Sequence, residues 1–129
     1  MTLLDIADWM KEFVPDEVET YVGKIEIKPN KVIGIYQREK SGEPRRCIGG
    51  KGSYDIKPIS ILIHWNNDYD ETERQAQKLY DKLRELTQTK IKDTYIPYVR
   101  MMVPEPIDVD TDDRGTYERV IWIDLYVER

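Results

Sequence analysis

The order of apolar and polar positions divides the chain into two helical segments and a set of strands. Leu3, Ile6, Ala7, Met10, Phe13 and Val14 recur at helical spacing, with Asp5, Asp8, Lys11 and Glu12 on the other side. This predicts an amphipathic helix over 3–14 that Pro15 stops, with Thr2 and Asp5 as its start signal. The second periodic segment runs from Asp70 to Leu86, where Ala76, Leu79, Tyr80, Leu83 and Leu86 form the stripe that would be buried. Asp70 precedes Glu73 by a capping-box spacing.

The strands read less evenly. Tyr21 to Ile27 is a weak strand, and Pro29-Asn30 reads as a turn. Val32 to Tyr36 is stronger, being β-branched and aromatic. Ile59 to Trp65, after Pro58, is apolar on nearly both sides and so is expected at the centre of a sheet. Thr94 to Val103 is a further strand, with Pro97 marking an edge or a bulge. The last strand covers Thr116 to Val127. Its Ile121, Ile123, Leu125 and Val127 would face the helices, and Glu118, Trp122, Asp124 and Tyr126 would face outward. The expected fold is a single α+β domain over 1–129. It has a mixed or antiparallel sheet of about four to five strands, two helices packed on one face, and a long extended arm between strands.

Two stretches break the pattern. Residues 37–56, QREKSGEPRRCIGGKGSYDI, are polar and glycine-rich over about 20 residues, longer than a structureless connection inside a compact domain usually is. This arm carries Arg38, Lys40, Arg45, Arg46 and Lys51 against Glu39, Glu43 and Asp55. Residues 104–115, PEPIDVDTDDRG, form a proline-started acidic loop.

Composition narrows the classes. The 129 residues are 40% hydrophobic and 35% charged, which fits one folded domain rather than a disordered chain. No apolar run reaches about 18 residues and no charged-then-apolar leader is present, so neither a membrane span nor a signal peptide is expected. The single cysteine, Cys47, cannot form an internal disulfide, which suits a reducing compartment. A net charge of −5 argues against a free nucleic-acid binder, although it leaves room for a local basic patch.

The candidate chemistry is thin. Gly49-Gly50-Lys51-Gly52-Ser53 resembles a phosphate loop only loosely. Arg45 stands where the first glycine belongs, Gly52 separates Lys51 from Ser53, and no helix follows. Asp108, Asp110 and Asp112 alternate as in a calcium loop, but Asp113 and Arg119 occupy the positions that need Gly and Glu. His64 is the only histidine, and nothing in the sequence brings it to Cys47; at a strand end between Ile63 and Trp65 it reads as a packing residue. No catalytic residue, metal site or cofactor is expected. A small metal-dependent hydrolase or nuclease would have only the acidic loop to draw on.

Association is better supported. Trp122, Tyr126, Tyr117, Tyr95 and Tyr98 are many aromatics for the strands of a small domain; they read either as core or as an interface, where Tyr, Trp and Arg are enriched. The basic arm and the acidic loop are either two unrelated charged loops or the two sides of a head-to-tail contact between copies, which closes into a ring when the rotation permits. On the second reading the interface candidates are Arg38, Arg45, Arg46, Lys51, Asp108, Asp110, Asp112, Asp113, Trp122 and Tyr126.

Four stretches carry a family resemblance: TYVGKIEIKPNKVIGIY, CIGGKGSYDIKPISILIHWN, TERQAQKLYDKL and PEPIDVDTDDRGTYERVIWIDLYVER. In these segments and their order, the chain resembles the minor capsid, tail-terminator-like proteins of tailed phages and prophages of Gram-positive bacteria. The family commonly has Gly where this chain has Asp110, so that turn is expected to differ. The resemblance implies a structural virion component that assembles as a six-fold ring on the head-proximal end of the tail tube, made in the bacterial cytoplasm. Its implied partners are other copies of itself, the tail-tube protein and the head-completion proteins, with DNA passing through the ring and no membrane involved. A neck adaptor of the same particle is the alternative. By position, the arm would reach a neighbour or the tube, and the acidic loop would line a subunit contact or the lumen.

Overall fold

The computed structural model describes residues 1–23, 31–39, 54–111 and 115–128. The Pro29-Asn30 turn, the Lys24–Ile27 part of the weak strand, and the arm from Lys40 to Ser53 with Cys47 lie outside the described residues.

The first helix, α1 (Leu3–Met10), starts as its cap predicts. The Asp5 N–H donates to the Thr2 hydroxyl at 3.3 Å, and the Thr2 N–H donates to the Asp5 carboxylate at 2.9 Å. One tighter turn at Lys11–Phe13 completes the segment before Pro15. The second helix, α2 (Tyr69–Arg84), begins earlier than its Asp70–Glu73 spacing predicts. The cap is Asp68, which accepts from the Glu71 N–H at 3.2 Å. Asn66 decides this: its carbonyl accepts from the Asp68 N–H at 2.9 Å and its amide donates to the Glu71 carboxylate at 2.7 Å. Asp70 instead sits in the first turn and pairs with Arg74. Leu86 lies past the helix end but still packs on the core.

The strands form a six-stranded mixed sheet. β1 (Glu19–Val22) runs parallel to β2 (Val32–Gln37), and all other pairings are antiparallel. β2 pairs with β3 (Tyr54–His64), β3 with β8 (Tyr117–Glu128), and β8 with β6 (Tyr98–Met101). β7 (Ile107–Thr111) pairs with β8 along the same side as β6, so the acidic stretch contains a strand rather than being loop throughout. β3 is central, as its apolar run requires, but it is 11 residues long and passes through Pro58. The Pro58 carbonyl accepts from the Arg38 N–H at 3.0 Å. A strand residue turns its carbonyl and nitrogen to the same side, so the missing N–H faces the side where β2 ends at Gln37, and the ladder to β8 is untouched.

Pro97 divides the predicted 94–103 strand into β5 (Thr94–Ile96) and β6. β5 pairs with β4 (Thr89–Ile91) in a separate hairpin whose turn holds Lys92 at φ 54°. The hairpin buries Ile91 and Ile96, and Thr89 accepts from the Trp9 indole at 3.3 Å. Register puts Ile33, Ile35, Ile59, Ile61, Ile63, Ile121, Ile123 and Leu125 on one face of the sheet. Both helices cover that face with Ile6, Met10, Leu79 and Leu83, all buried. Val127 is only partly buried there.

Candidate assembly face

The opposite face of the main sheet carries neither helix. Its side chains fall into rows across the strands. One row is Tyr98, Tyr126 and Ile56; the next is Arg100, Asp124 and Pro58; then come Trp122, Ser60 and Tyr36. Beyond these lie Val120, Leu62, Gly34 and Tyr21, and finally Glu118, His64 and Val32. Alternation along β8 thus sends Trp122 and Tyr126 to the face that sequence assigns them. Trp122 is 40% exposed and Tyr98 50%. Tyr126 stacks on Tyr54 with centroids 5.5 Å apart and meets Tyr98 edge-on at 5.3 Å, which makes one aromatic ridge over three strands.

Asp124 is the correction on this face. It points away from the helices as expected, but it is fully buried rather than solvent-facing. Arg38 covers it. The guanidinium donates to the Asp124 carboxylate, to the Ile123 carbonyl at 3.2 Å and, through Nε, to the Ile59 carbonyl at 3.3 Å. The same guanidinium lies 5.6 Å from the centre of the Trp122 ring. Arg38 is therefore a clasp across β2, β3 and β8 at the root of the arm, with its charge matched within the chain.

At the far end of this face, His64 is 1% exposed and its Nδ1 lies 3.0 Å from the Glu118 carboxylate. This is the packing role expected of it, with Glu118 turned into the pair rather than into solvent. Burial raises the Tyr36 hydroxyl pKa, and the nearby Glu118 charge adds to the shift. Among the described residues, no group of three or more His, Cys, Asp or Glu side chains could hold a metal ion. Among them also, no helix is long and apolar enough to cross a membrane.

The interface candidates among the described residues lie on two sides of the sheet. Arg38 and Trp122 meet, with Tyr126 nearby on the same face. Asp108 projects to the helix side, opposite Arg119, where it accepts the Tyr69 hydroxyl at 2.9 Å and raises the Tyr69 pKa through that bond. Arg119 lies over the Tyr69 ring at 5.1 Å. Arg45, Arg46, Lys51, Asp112, Asp113 and the side chain of Asp110 lie outside the described residues. The sequence pattern places Asp124 on this face as a solvent-facing residue, and it does not single out Tyr54 or Tyr36 for it. The period-two pattern held the signal for each strand, but the rows exist only once the strands are in register.

The result is an α+β fold with one sheet face packed by helices and the other rich in aromatics, on which the Arg38–Asp124 and His64–Glu118 pairs bridge neighbouring strands. The chain belongs to the bacteriophage tail terminator protein family, whose family model matches residues 1–129. It is thus a structural component of a phage tail. No curated protein matches the chain.

Proposed function

We propose that this subunit forms a ring that caps the head-proximal end of the tail tube and receives the head-completion proteins, without catalysing a reaction. The family match over the full 129 residues carries this reading. The helix-free face, with Trp122, Tyr98 and the Tyr54–Tyr126 stack, supplies the kind of surface that association between protein subunits favours. The basic arm and the acidic 104–115 stretch supply opposite charges for orienting one copy on the next. An acidic ring interior would also keep passing DNA mobile by repulsion. Assembly takes place in the host cytoplasm and the product resides in the virion.

The test is mass determination in solution across a concentration series, with negative-stain imaging, alone and with tail-tube protein. Rings, or a concentration-dependent multimer that binds tube ends, are the expected result. A chain that stays monomeric at high concentration and ignores the tube overturns the proposal.

A further inference from the structure

The main sheet ends in β1 on one side and in β6 on the other, and no strand among the described residues pairs with the outer edge of either. Unpaired strand edges present rows of backbone donors and acceptors that template pairing with another chain. We propose that copies of this chain join edge to edge, β1 of one copy lying antiparallel to β6 of the next, so that the sheet continues from subunit to subunit. This rests on the ring reading above and names its contact.

The side chains select this pairing. On the helix-free face β1 presents Glu19 and Tyr21, and β6 presents Tyr98 and Arg100. On the helix side they present Thr20 and Val99. An antiparallel pair keeps facing residues on one face, so only registers that match these sets are allowed. The register that places Glu19 opposite Arg100 places Thr20 opposite Val99 and Tyr21 opposite Tyr98. It therefore joins an acid to a base and a tyrosine to a tyrosine, both favourable cross-strand pairs. Glu19 and Arg100 are exposed, Tyr21 is 36% exposed and Tyr98 50%.

The chain's directions agree. β1 runs parallel to β2, and β2 and β6 run opposite ways through β3 and β8, so neighbouring sheets in the same orientation meet antiparallel. β7 is the other strand on that side, but its Ile-Asp-Val-Asp-Thr sequence offers Glu19 no basic partner. Space exists beside β1: a concavity of about 380 Å³ is lined by Lys11, Pro15, Val18, Glu19, Thr20 and Tyr21. The pairing is head-to-tail, with unlike surfaces meeting, which is the kind of contact that closes into a ring.

Cross-linking tests it in full-length protein with Cys47→Ser. Tyr21→Cys and Tyr98→Cys proteins, each oxidised alone, should give little linked product; mixed before oxidation, they should give a dimer containing one of each. Self-linking of the Tyr98→Cys protein would show a symmetric β6–β6 contact and overturn the proposal. In a second arm, Glu19→Lys or Arg100→Glu should each weaken assembly by roughly five-fold, and the double variant should restore it. Unchanged melting temperatures show that the variants fold. Rings that form without the mixed cross-link, and that ignore the charge reversals, overturn the edge pairing and leave the ring reading standing. A wild-type monomer overturns both.

Discussion

Arg38 and Asp124 stand 86 positions apart in sequence and touch across three strands. A carboxylate with no exposure needs a counter-charge, because a lone buried charge costs several kcal/mol. Arg38 supplies it and also satisfies two carbonyls of the sheet. Removing Arg38 takes away that counter-charge and the donors to both carbonyls. Arg38→Ala should therefore destabilise the fold by about 3–5 kcal/mol, seen as a lower urea midpoint at unchanged slope. Arg38→Ala combined with Asp124→Leu should recover much of the loss, since an apolar replacement for a buried pair is often neutral. A single variant within about 0.5 kcal/mol of the wild type would show that solvent reaches Asp124 and that the clasp is dispensable. This contact also marks a limit of reading from sequence. Alternation along β8 gives the face on which Asp124 lies. It cannot tell that a residue from the root of the arm covers that face.

At the scale of elements, the helices were legible because their signals are local. The Thr2–Asp5 box and the stripe of α2 are written within a few residues of each other. The start of α2 is ambiguous in the sequence because two acids compete, and the side chain of Asn66 chooses Asp68. The β4–β5 hairpin carries no turn signal in the sequence because its turn uses Lys92-Asp93 instead of a glycine or Asn-Gly pair, so Lys92 takes the positive φ that those residues usually supply. The cap assignment can be checked directly. Asp68→Ala should cost about 1 kcal/mol, whereas Asp70→Ala, which loses only an exposed pair with Arg74, should change stability by less than about 0.5 kcal/mol. Equal effects would put the cap elsewhere. The helix starts also set a pH response. The Thr2 backbone N–H holds the Asp5 carboxyl below its usual range, and the Asn66 amide does the same for Glu71. Both folded values lie below the unfolded ones. Their contribution is present above the ordinary carboxylate range and is lost as pH falls through the lowered values. Glu71→Gln should therefore flatten the acid limb of a plot of unfolding midpoint against pH; an unaltered limb would remove Glu71 from the account.

At the scale of the molecule, two kinds of contact are available to a ring, and they answer differently to salt. Opposite-charge loops, the basic arm against the acidic 104–115 stretch, act over distances comparable to the Debye length. That length shrinks from about 10 Å at 0.1 M to about 3 Å at 1 M. Strand pairing between β1 and β6 is short-range hydrogen bonding with side chains in register, and screening barely touches it. If charge steers and the strand edge holds, the two quantities separate. Raising salt from about 0.05 M to about 0.5 M should slow assembly, followed by light scattering, by roughly ten-fold or more, because steering accelerates encounter. The dissociation constant of the finished assembly should move much less. The composition of the chain makes this separation possible: its net charge is −5, yet 35% of its residues are charged, so repulsion between whole subunits is small while both signs are plentiful. If rate and affinity fall together, the charged loops hold the ring as well as orient it. If neither changes, the opposite signs of arm and loop have no part in assembly, and the face and edges of the sheet carry recognition alone.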